Sequence, residues 1–422
     1  MEHGKAGERD RMPLRHRTEN ILAGRMAFSL MIVAFYLLGR NLQIPWTIRR
    51  DEAMNGIQGL SFEILGNSRS RTSLFSLGLM PWVTSMIIVQ VFQKLSRDRH
   101  EKKSPAKANR IMLILTMVIA VLQAGINAAE MEYKSFPGIS RTVLLVLTAV
   151  VLIAGSFAIK WLSNRNTEWG VGGQGLLIAI NTLGSFGRTG AAFRNEVFSA
   201  ESVGEAVLLT GKAALLILVI LVLLLAMEGA EFRTTVRRVT INNRYADDDY
   251  IAVRLNPVGT MPVMYVMSVF TLPYYGLKFL NRMMPNRAWI QRGMQILNLN
   301  TASGVIIFAV VLWGLTVVLS EIFVGPEDIA DSLMRQGDYL DDLEPGRQTR
   351  SYLAGQTRIA AFFSAAVTGA LVLPMLWLHA VRGSFSSFYM APMTVMILAG
   401  MVMSIMEEVK VYRTMEQYRP FL

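Results

Sequence analysis

Ten apolar segments of 17 to 24 residues constrain this chain more than any other feature of its sequence. A helix of about 20 apolar residues crosses the ~30 Å hydrocarbon core of a bilayer, and a helix satisfies its own backbone hydrogen bonds there. Because 52% of the 422 residues are apolar and only 17% are charged, the sequence predicts an all-α polytopic membrane protein with ten transmembrane helices. The segments are 24–43, 76–93, 109–129, 142–162, 174–190, 205–228, 258–276, 297–320, 356–379 and 386–406.

Lys and Arg are distributed unevenly between the two sides of these predicted spans. The N-terminal tail, the even-numbered loops and the C-terminal tail carry roughly twice as many as the opposite loops. Since basic loops remain in the cytoplasm, both termini are expected on the cytoplasmic side, and the net charge of +11 needs no nucleic-acid partner. Arg40 and Lys212 lie near span ends, so we expect them to extend to the interface rather than to bind ions.

The composition disfavours several classes of chemistry. The chain has no cysteine, which excludes disulfides and thiol catalysis, and its four His lack the tandem spacing of metal ligands. It has no Walker A motif, so ATP hydrolysis is not expected in this chain. Therefore neither a cofactor nor a metal is predicted.

Two other membrane functions remain alternatives. A secondary transporter would need ionisable residues in mid-span, where Asp and Glu are nearly absent. A membrane-embedded enzyme would need clustered acidic or His groups, and the run Asp247–Asp249 is better explained as a solvated turn.

The connection at residues 44–74 lies on the non-cytoplasmic side and is too short and too polar to span. It contains a short apolar piece, Ile57–Leu65. Such a segment fits either a surface loop or a re-entrant element packed inside protein. The residues alone slightly favour the surface loop.

Two cytoplasmic loops are long enough to carry structure of their own. Residues 229–257 alternate β-forming side chains around a polar turn, which predicts a hairpin. Residues 321–356 predict a short helix from Pro326 to Gln336, ended by Gly337, with an acidic tip at Asp338–Glu344. Protruding loops of this size are natural docking surfaces.

Three stretches of the chain resemble one known family. FSLGLMPWVTSMIIVQ, residues 75–90, is similar to the second helix of the SecY/Sec61 protein-conducting channels. VRLNPVGTMPVM, residues 253–264, resembles the opening of their seventh helix. PEDIADSLMRQGDYLDDLEPGRQTRSYL, residues 326–353, is similar to their large cytoplasmic loop. The three stretches follow in the family's order among ten predicted spans.

The resemblance implies a SecY-type inverted two-half bundle around a central hourglass pore. The N-terminal half corresponds to residues 23–190 and the C-terminal half to 204–406, between cytoplasmic tails at 1–22 and 407–422. A ring of apolar side chains closes the pore's waist in this family. Without the resemblance these side chains would be read as ordinary packing residues. The ring positions correspond to Leu79, Val83, Leu176, Ile180, Met264 and Ile397.

The ring would act by simple physics. An apolar constriction excludes water and ions by dewetting, while a passing polypeptide pushes flexible side chains aside. Met264 suits that role, because methionine is unbranched and adaptable.

The resemblance also implies a plug and a lateral gate. The plug corresponds to residues 54–72, immediately before the second helix, which favours this interpretation over a surface loop. Thr84 and Gln90 lie on the second helix, where the family has its lateral gate against the seventh. Polar residues there could loosen helix packing for a signal sequence. A hydrogen bond to a neighbouring backbone is an equally good explanation for them.

The two cytoplasmic loops correspond to the family's docking site for the ribosome or the SecA motor ATPase. Glu344 stands where the family has Arg, and the tip is acidic where the family's is neutral to basic. A reversed charge favours a different, complementary partner, so the chain most resembles the accessory-system SecY of Gram-positive bacteria; the housekeeping SecY is the alternative. The candidate docking residues are Arg237, Arg238, Arg244, Arg335, Glu344 and Arg347.

The implied function is a passive protein-translocating channel subunit in the bacterial cytoplasmic membrane. Its energy would come from a partner, an accessory SecA-type ATPase. The cargo class that the resemblance implies is unfolded, serine-rich, glycosylated adhesins. Small SecE/SecG-like membrane subunits and membrane lipids complete the expected partners.

Overall fold

The computed structural model describes residues 14–48, 72–96, 105–199, 202–237, 250–285, 287–340, 343–382 and 391–418. Within these ranges the chain is helical apart from one small sheet and the connections. The helices are α1 (Leu14–Asn41), α2 (Met80–Ser96), α3 (Pro105–Glu130), α4 (Arg141–Trp169), α5 (Gly173–Phe198), α6 (Val203–Gly229), α7 (Met261–Met283), α8 (Ala288–Ile296), α9 (Ala302–Val324), α10 (Pro326–Gln336), α11 (Arg347–Arg382) and α12 (Ala391–Tyr418). The strands are β1 (Glu231–Arg237), β2 (Tyr250–Arg254) and β3 (Tyr339–Leu340).

Each predicted apolar segment coincides with a helix. In the part of the chain that the structure describes, eight helices are long and apolar enough to cross a membrane, namely α1, α3, α4, α6, α7, α9, α11 and α12. The remaining two segments form α2, which has 17 residues, and α5, whose sequence is interrupted by Asn181, Gly184 and Gly187. The protein is therefore a multi-pass α-helical membrane protein.

Helix α2 is short because the chain turns before it enters the helix. Gly78 has a φ of +58°, a conformation that glycine adopts without steric cost. The buried Ser156 of α4 donates a hydrogen bond to the Gly78 carbonyl at 3.0 Å. Pro81 then lies in the first turn of α2, where its missing N–H leaves no bond unmade.

The two long loops fold together into one unit, which we call the loop body and which contains β1, β2, α10 and β3. Strand β1 pairs antiparallel with β2, as the predicted hairpin requires, and its far end pairs with β3 from the second loop. The strand order is β2-β1-β3. Side chains from both loops and from α11 then form a small apolar core of their own, made of Val236, Ala330, Leu333, Leu340 and Leu353.

The short helix predicted at Pro326–Gln336 is confirmed as α10. Pro326 occupies its first turn, and Gly325 and Gly337 flank it in the left-handed conformation, with φ of +57° and +77°. Glycine is favoured at such positions because it has no Cβ to clash there.

Helices α1–α5, the first five long helices, meet the last five, α6, α7, α9, α11 and α12, along two seams besides the contact between the consecutive helices α5 and α6. We call the contact of α2 and α3 with α7 and α9 the front seam, and the contact of α5 with α12 the back seam. At the back seam the Gly172 N–H donates to the Glu408 carboxylate at 2.8 Å, and Arg25 of α1 donates to the Tyr412 hydroxyl at 2.6 Å. These charged hydrogen bonds tie α12 to α1 and to the turn before α5.

The expectation for Arg40 is wrong. Its side chain is 5% exposed, and its guanidinium donates to the Asn181 amide oxygen of α5 at 3.2 Å. Tyr36 donates to the same oxygen at 2.7 Å. A buried guanidinium is tolerated when hydrogen bonds satisfy it, so Arg40 joins α1 to α5. Lys212 is exposed, as expected.

Candidate functional site

Four of the predicted ring residues are buried in one large apolar cluster that extends through all ten long helices. Leu79, Val83, Met264 and Ile397 are between 0% and 3% exposed and belong to one apolar cluster. They are carried by α2 and the turn before it, by α7 and by α12, which contact one another in that order. The arrangement is an apolar contact between helices from three parts of the chain, which we call the central contact.

The fifth long helix, α5, contributes to the same cluster. Ile180 packs against the cluster and is half-buried. Leu176 is also half-buried, whereas its neighbours Leu177 and Ile178 are 1% and 3% exposed and lie within the cluster. Leu177 is therefore more deeply buried in the cluster than Leu176 is.

Close approach of α7 and α12 depends on a small residue. A Cβ at Gly400 of α12 would overlap the side chain of Thr260, just before α7. Around this point the cluster is rich in methionine, which sequence reasoning did not single out although MPVMYVM and APMTVMILAGM show it. Methionine side chains are flexible enough to repack around a changing partner. The buried methionines of these two helices are Met264, Met267, Met393, Met396 and Met401.

The helices that form the front seam carry buried polar groups without a hydrogen-bond partner. Among the described residues, both amide atoms of Gln123 on α3, Oε1 of Gln90 on α2 and Oγ of Ser268 on α7 are buried without a hydrogen-bond partner. Tyr275 of α7 donates to the Asn127 oxygen at 3.3 Å across the seam. A buried unsatisfied polar group costs about 1–3 kcal/mol, so these groups weaken the helix packing around them.

The two predicted gate residues behave differently. Thr84 is buried and donates to the carbonyl of Met80 in its own helix at 2.8 Å. Gln90 carries the unsatisfied amide oxygen. Gln123 and Asn127 were missed, although their spacing of four residues places them on one face of an otherwise apolar helix.

Ion pairs close the front seam at both ends. Lys94 of α2 lies 3.3 Å from Glu321 of α9 at the end nearest the loop body. Glu130, the last residue of α3, pairs with Lys278 of α7 at the opposite end. Each pair joins a helix of the first five to a helix of the last five.

The predicted docking residues that the structure describes are exposed. Arg237 ends β1, Arg335 lies in the last turn of α10, and Arg347 begins α11. The Glu344 carboxylate accepts a hydrogen bond from Gln348 at 3.2 Å, and the Glu344 carbonyl accepts one from Thr349. Glu344 therefore helps to cap α11 while it stays exposed. Arg238, Arg244 and residues 54–71 of the predicted plug at 54–72 lie outside the described residues, and Thr72 is buried.

Arg254 of β2 joins the loop body to the helices. It lies 2.9 Å from Glu228 of α6 and 3.0 Å from Glu407 of α12. The hydrogen bond to Glu407 raises the pKa of Arg254 above its ordinary value. A cavity of about 150 Å³ opens beside this triad and reaches Gly400 and Met401 of the central contact. In the described ranges no group of three or more His, Asp or Glu side chains could hold a metal ion.

Together the fold and this site define a multi-pass helical membrane protein with a buried apolar contact between helices from three parts of its chain. The SecY family model matches residues 73–406. The chain therefore belongs to the SecY family.

Relatives and solved structures agree with this assignment. The chain is 27% identical to the accessory Sec system protein translocase subunit SecY2 of Streptococcus sanguinis, covering 95% of this chain and 98% of that one. It is 29% identical to the corresponding subunit of Streptococcus agalactiae, with coverages of 95% and 96%. A solved protein-conducting channel superposes with a TM-score of 0.69 at 14% identity, covering 94% of this chain and 93% of that one. A SecY structure, in which the plug domain stabilises the closed state, gives 0.67 at 15% identity with the same coverages.

Proposed function

We propose that the protein is the channel subunit of a Sec-type translocase that exports unfolded preprotein across the bacterial cytoplasmic membrane. Its ten long helices form two halves of five around an hourglass pore, at residues 23–190 and 204–406, with both termini in the cytoplasm. The observation that carries this proposal is the burial of Leu79, Val83, Met264 and Ile397 in one apolar contact. Four buried apolar side chains on three contacting elements of a member of this family support a closed pore ring at this point.

The ring keeps the membrane sealed while the channel rests. Its side chains carry no group that can replace the hydration shell of an ion, so water and ions are excluded by dewetting. A polypeptide entering from the loop side displaces the side chains, and the methionines of α7 and α12 repack around it. Leu176 and Ile180 complete the ring on α5, with Leu177 beside them.

The front seam is the lateral gate of this channel. The helices that form it carry several buried amides and hydroxyls without a partner, so these groups lose no hydrogen bond when the helices part. Thr84 and Gln90 lie on the gate helix α2. The back seam, held by Glu408 and Tyr412, stays closed and acts as the hinge. The plug, which we assign to residues 54–72, seals the pore from the outer side.

The loop body receives the motor. It presents Arg237, Arg335 and Arg347 together with Glu344, and the basic residues Arg238 and Arg244 belong to the same loop. The acidic tip favours a dedicated accessory SecA ATPase, which supplies the energy that this chain does not generate. The similarity to accessory Sec subunits supports the accessory role, and the proposed cargo is serine-rich glycosylated adhesins.

Small SecE/SecG-like subunits share the membrane with the channel. Helices α1 and α6 have wide exposed apolar faces, including Leu30 at 70%, Leu38 at 64% and Leu215 at 62%. Lipid and short partner helices would cover these faces.

Reconstitution tests the function directly. Proteoliposomes containing the complex, accessory SecA and ATP are expected to protect an adhesin precursor from external protease. Housekeeping SecA with the same cargo serves as the matched control and is expected to give much less protection. Equal protection by both motors would favour the housekeeping role. Passage of small solutes without any protein passage would contradict the channel.

A further inference from the structure

The connection between α7 and α9 is strongly cationic. From Tyr250 to Ser320 the sequence contains no Asp or Glu. This connection and the end of α7 nevertheless contain Lys278, Arg282, Arg287 and Arg292. Lys278 pairs with Glu130, whereas the three Arg side chains are exposed. A surface of this kind has no acidic neighbours in sequence to neutralise it.

Helix α8 in this connection has three distinct flanks. Ile290 is completely buried against the protein. Trp289 and Ile296, seven residues apart and therefore on one face, are 56% and 45% exposed. Gln291 and Gln295 form a polar flank that is also exposed. The flank of Ile290 therefore packs against protein, the exposed apolar flank is suited to contact hydrocarbon, and the polar flank is suited to face water.

The position of α8 explains this division. It joins the ends of two membrane-crossing helices, α7 and α9, so it lies where the bilayer meets water. Amphipathic helices with exposed Trp and Arg lie in that interface. Arg292 is one helical turn from both Trp289 and Ile296 and borders the polar flank. This places it at the boundary between hydrocarbon and water, where lipid phosphates are found.

We propose that Trp289, Arg292 and Ile296 of α8, with Arg282 in the last turn of α7 and Arg287 immediately before α8, form a binding surface for anionic phospholipid. The guanidinium groups donate hydrogen bonds to the lipid phosphate, a pairing that suits the planar fork of arginine. Trp289 and Ile296 contact the acyl chains below. The exposed cations and the lack of acidic residues favour an anionic lipid over a zwitterionic one. This inference needs only the membrane location of the protein and is independent of transport.

Brominated lipids test the surface through the fluorescence of Trp289. The complex is placed in nanodiscs of equal phosphatidylglycerol and phosphatidylcholine, with one of the two brominated in each sample. Subtracting the Trp289→Phe signal isolates Trp289 from the other six tryptophans. We expect brominated phosphatidylglycerol to be enriched about fivefold around Trp289, the size expected for one Arg at a charged lipid surface.

Variants separate lipid charge from general packing. Arg292→Gln, combined with Arg282→Gln and Arg287→Gln, is expected to abolish the enrichment, whereas Arg292→Lys retains part of it. The matched control is Arg141→Gln, which removes an exposed cation from the start of α4 and should leave the enrichment unchanged. Equal quenching by both lipids in the parent protein would overturn the proposal. So would an absence of quenching by either lipid, because another subunit or water would then cover the flank.

Discussion

Lys94 of α2 lies 3.3 Å from Glu321 of α9, so an ion pair bridges the front seam at the end nearest the loop body. Glu321 also accepts a hydrogen bond from Arg358 of α11 at 2.7 Å. Only the first of these contacts joins the two groups of five helices. The second contact joins α9 to α11, which both belong to the last five long helices. This difference separates an interaction that opposes gate opening from one that stabilises a half.

Lys94→Gln is expected to ease gate opening. It removes the cross-seam pair and leaves Glu321 with Arg358. A partly exposed pair contributes about 1 kcal/mol or less, so export of a cargo with a weakened signal sequence should rise by at most about fivefold. Arg358→Gln is the control, because it breaks only the contact within the last five helices. Equal stimulation by both variants would contradict a role at the gate.

The opposite end of the seam offers a charge-swap experiment. Glu130→Lys and Lys278→Glu each place like charges across α3 and α7, and each should favour the open gate. The double variant restores an opposite pair and should return export of the weak-signal cargo toward the parent level. Failure of the double variant to recover would show that the two residues act separately.

Polar substitution of the ring is expected to cause leakage. Val83→Ser or Met264→Ser introduces a hydroxyl into the central contact and lowers the barrier to ion entry. Conductance of the resting channel in planar bilayers should rise well above that of the parent. Val310→Ser serves as the control, since Val310 is 67% exposed on α9. Unchanged conductance in the ring variants would contradict the assignment of these residues to a pore ring.

Glu344→Arg is expected to weaken coupling to the accessory motor. The substitution restores the charge found in the rest of the family at an exposed docking position and repels a partner adapted to an acidic tip. Glu344→Gln removes the charge but keeps an oxygen that can accept the hydrogen bond from Gln348, so it tests charge separately from capping. Translocation rates with the accessory motor would show the largest loss for Arg, and equal rates for all three proteins would argue against docking there.

Local sequence patterns predicted much of this fold. Long apolar runs predicted the helices, and the boundaries of α10 followed from Pro326 and Gly337 because those residues act through their own backbone. The hairpin prediction was confirmed for β1 and β2, and the family resemblance drawn from three stretches was confirmed by the SecY match over residues 73–406. Each of these features depends on neighbours in sequence.

Features that depend on residues far apart in the sequence could not be predicted in the same way. Arg40 looked like an interface residue because Asn181, which satisfies it, is 141 positions away. The pairing of β1 with β3 requires two separate loops to meet. On α5, periodicity alone does not decide whether Leu176 or Leu177 faces the centre, since that depends on how α5 packs against α12.

Site-directed crosslinking tests the central claim most directly. Because the chain contains no cysteine, the introduced cysteine is the only one in each variant. Val83→Cys, Met264→Cys and Ile397→Cys variants are loaded with a stalled export intermediate that carries one cysteine. We expect a disulfide adduct at all three positions and none at Val310→Cys, which faces away from the centre. Absence of adducts at the three ring positions, or equal adducts at Val310, would contradict passage of the polypeptide through this ring.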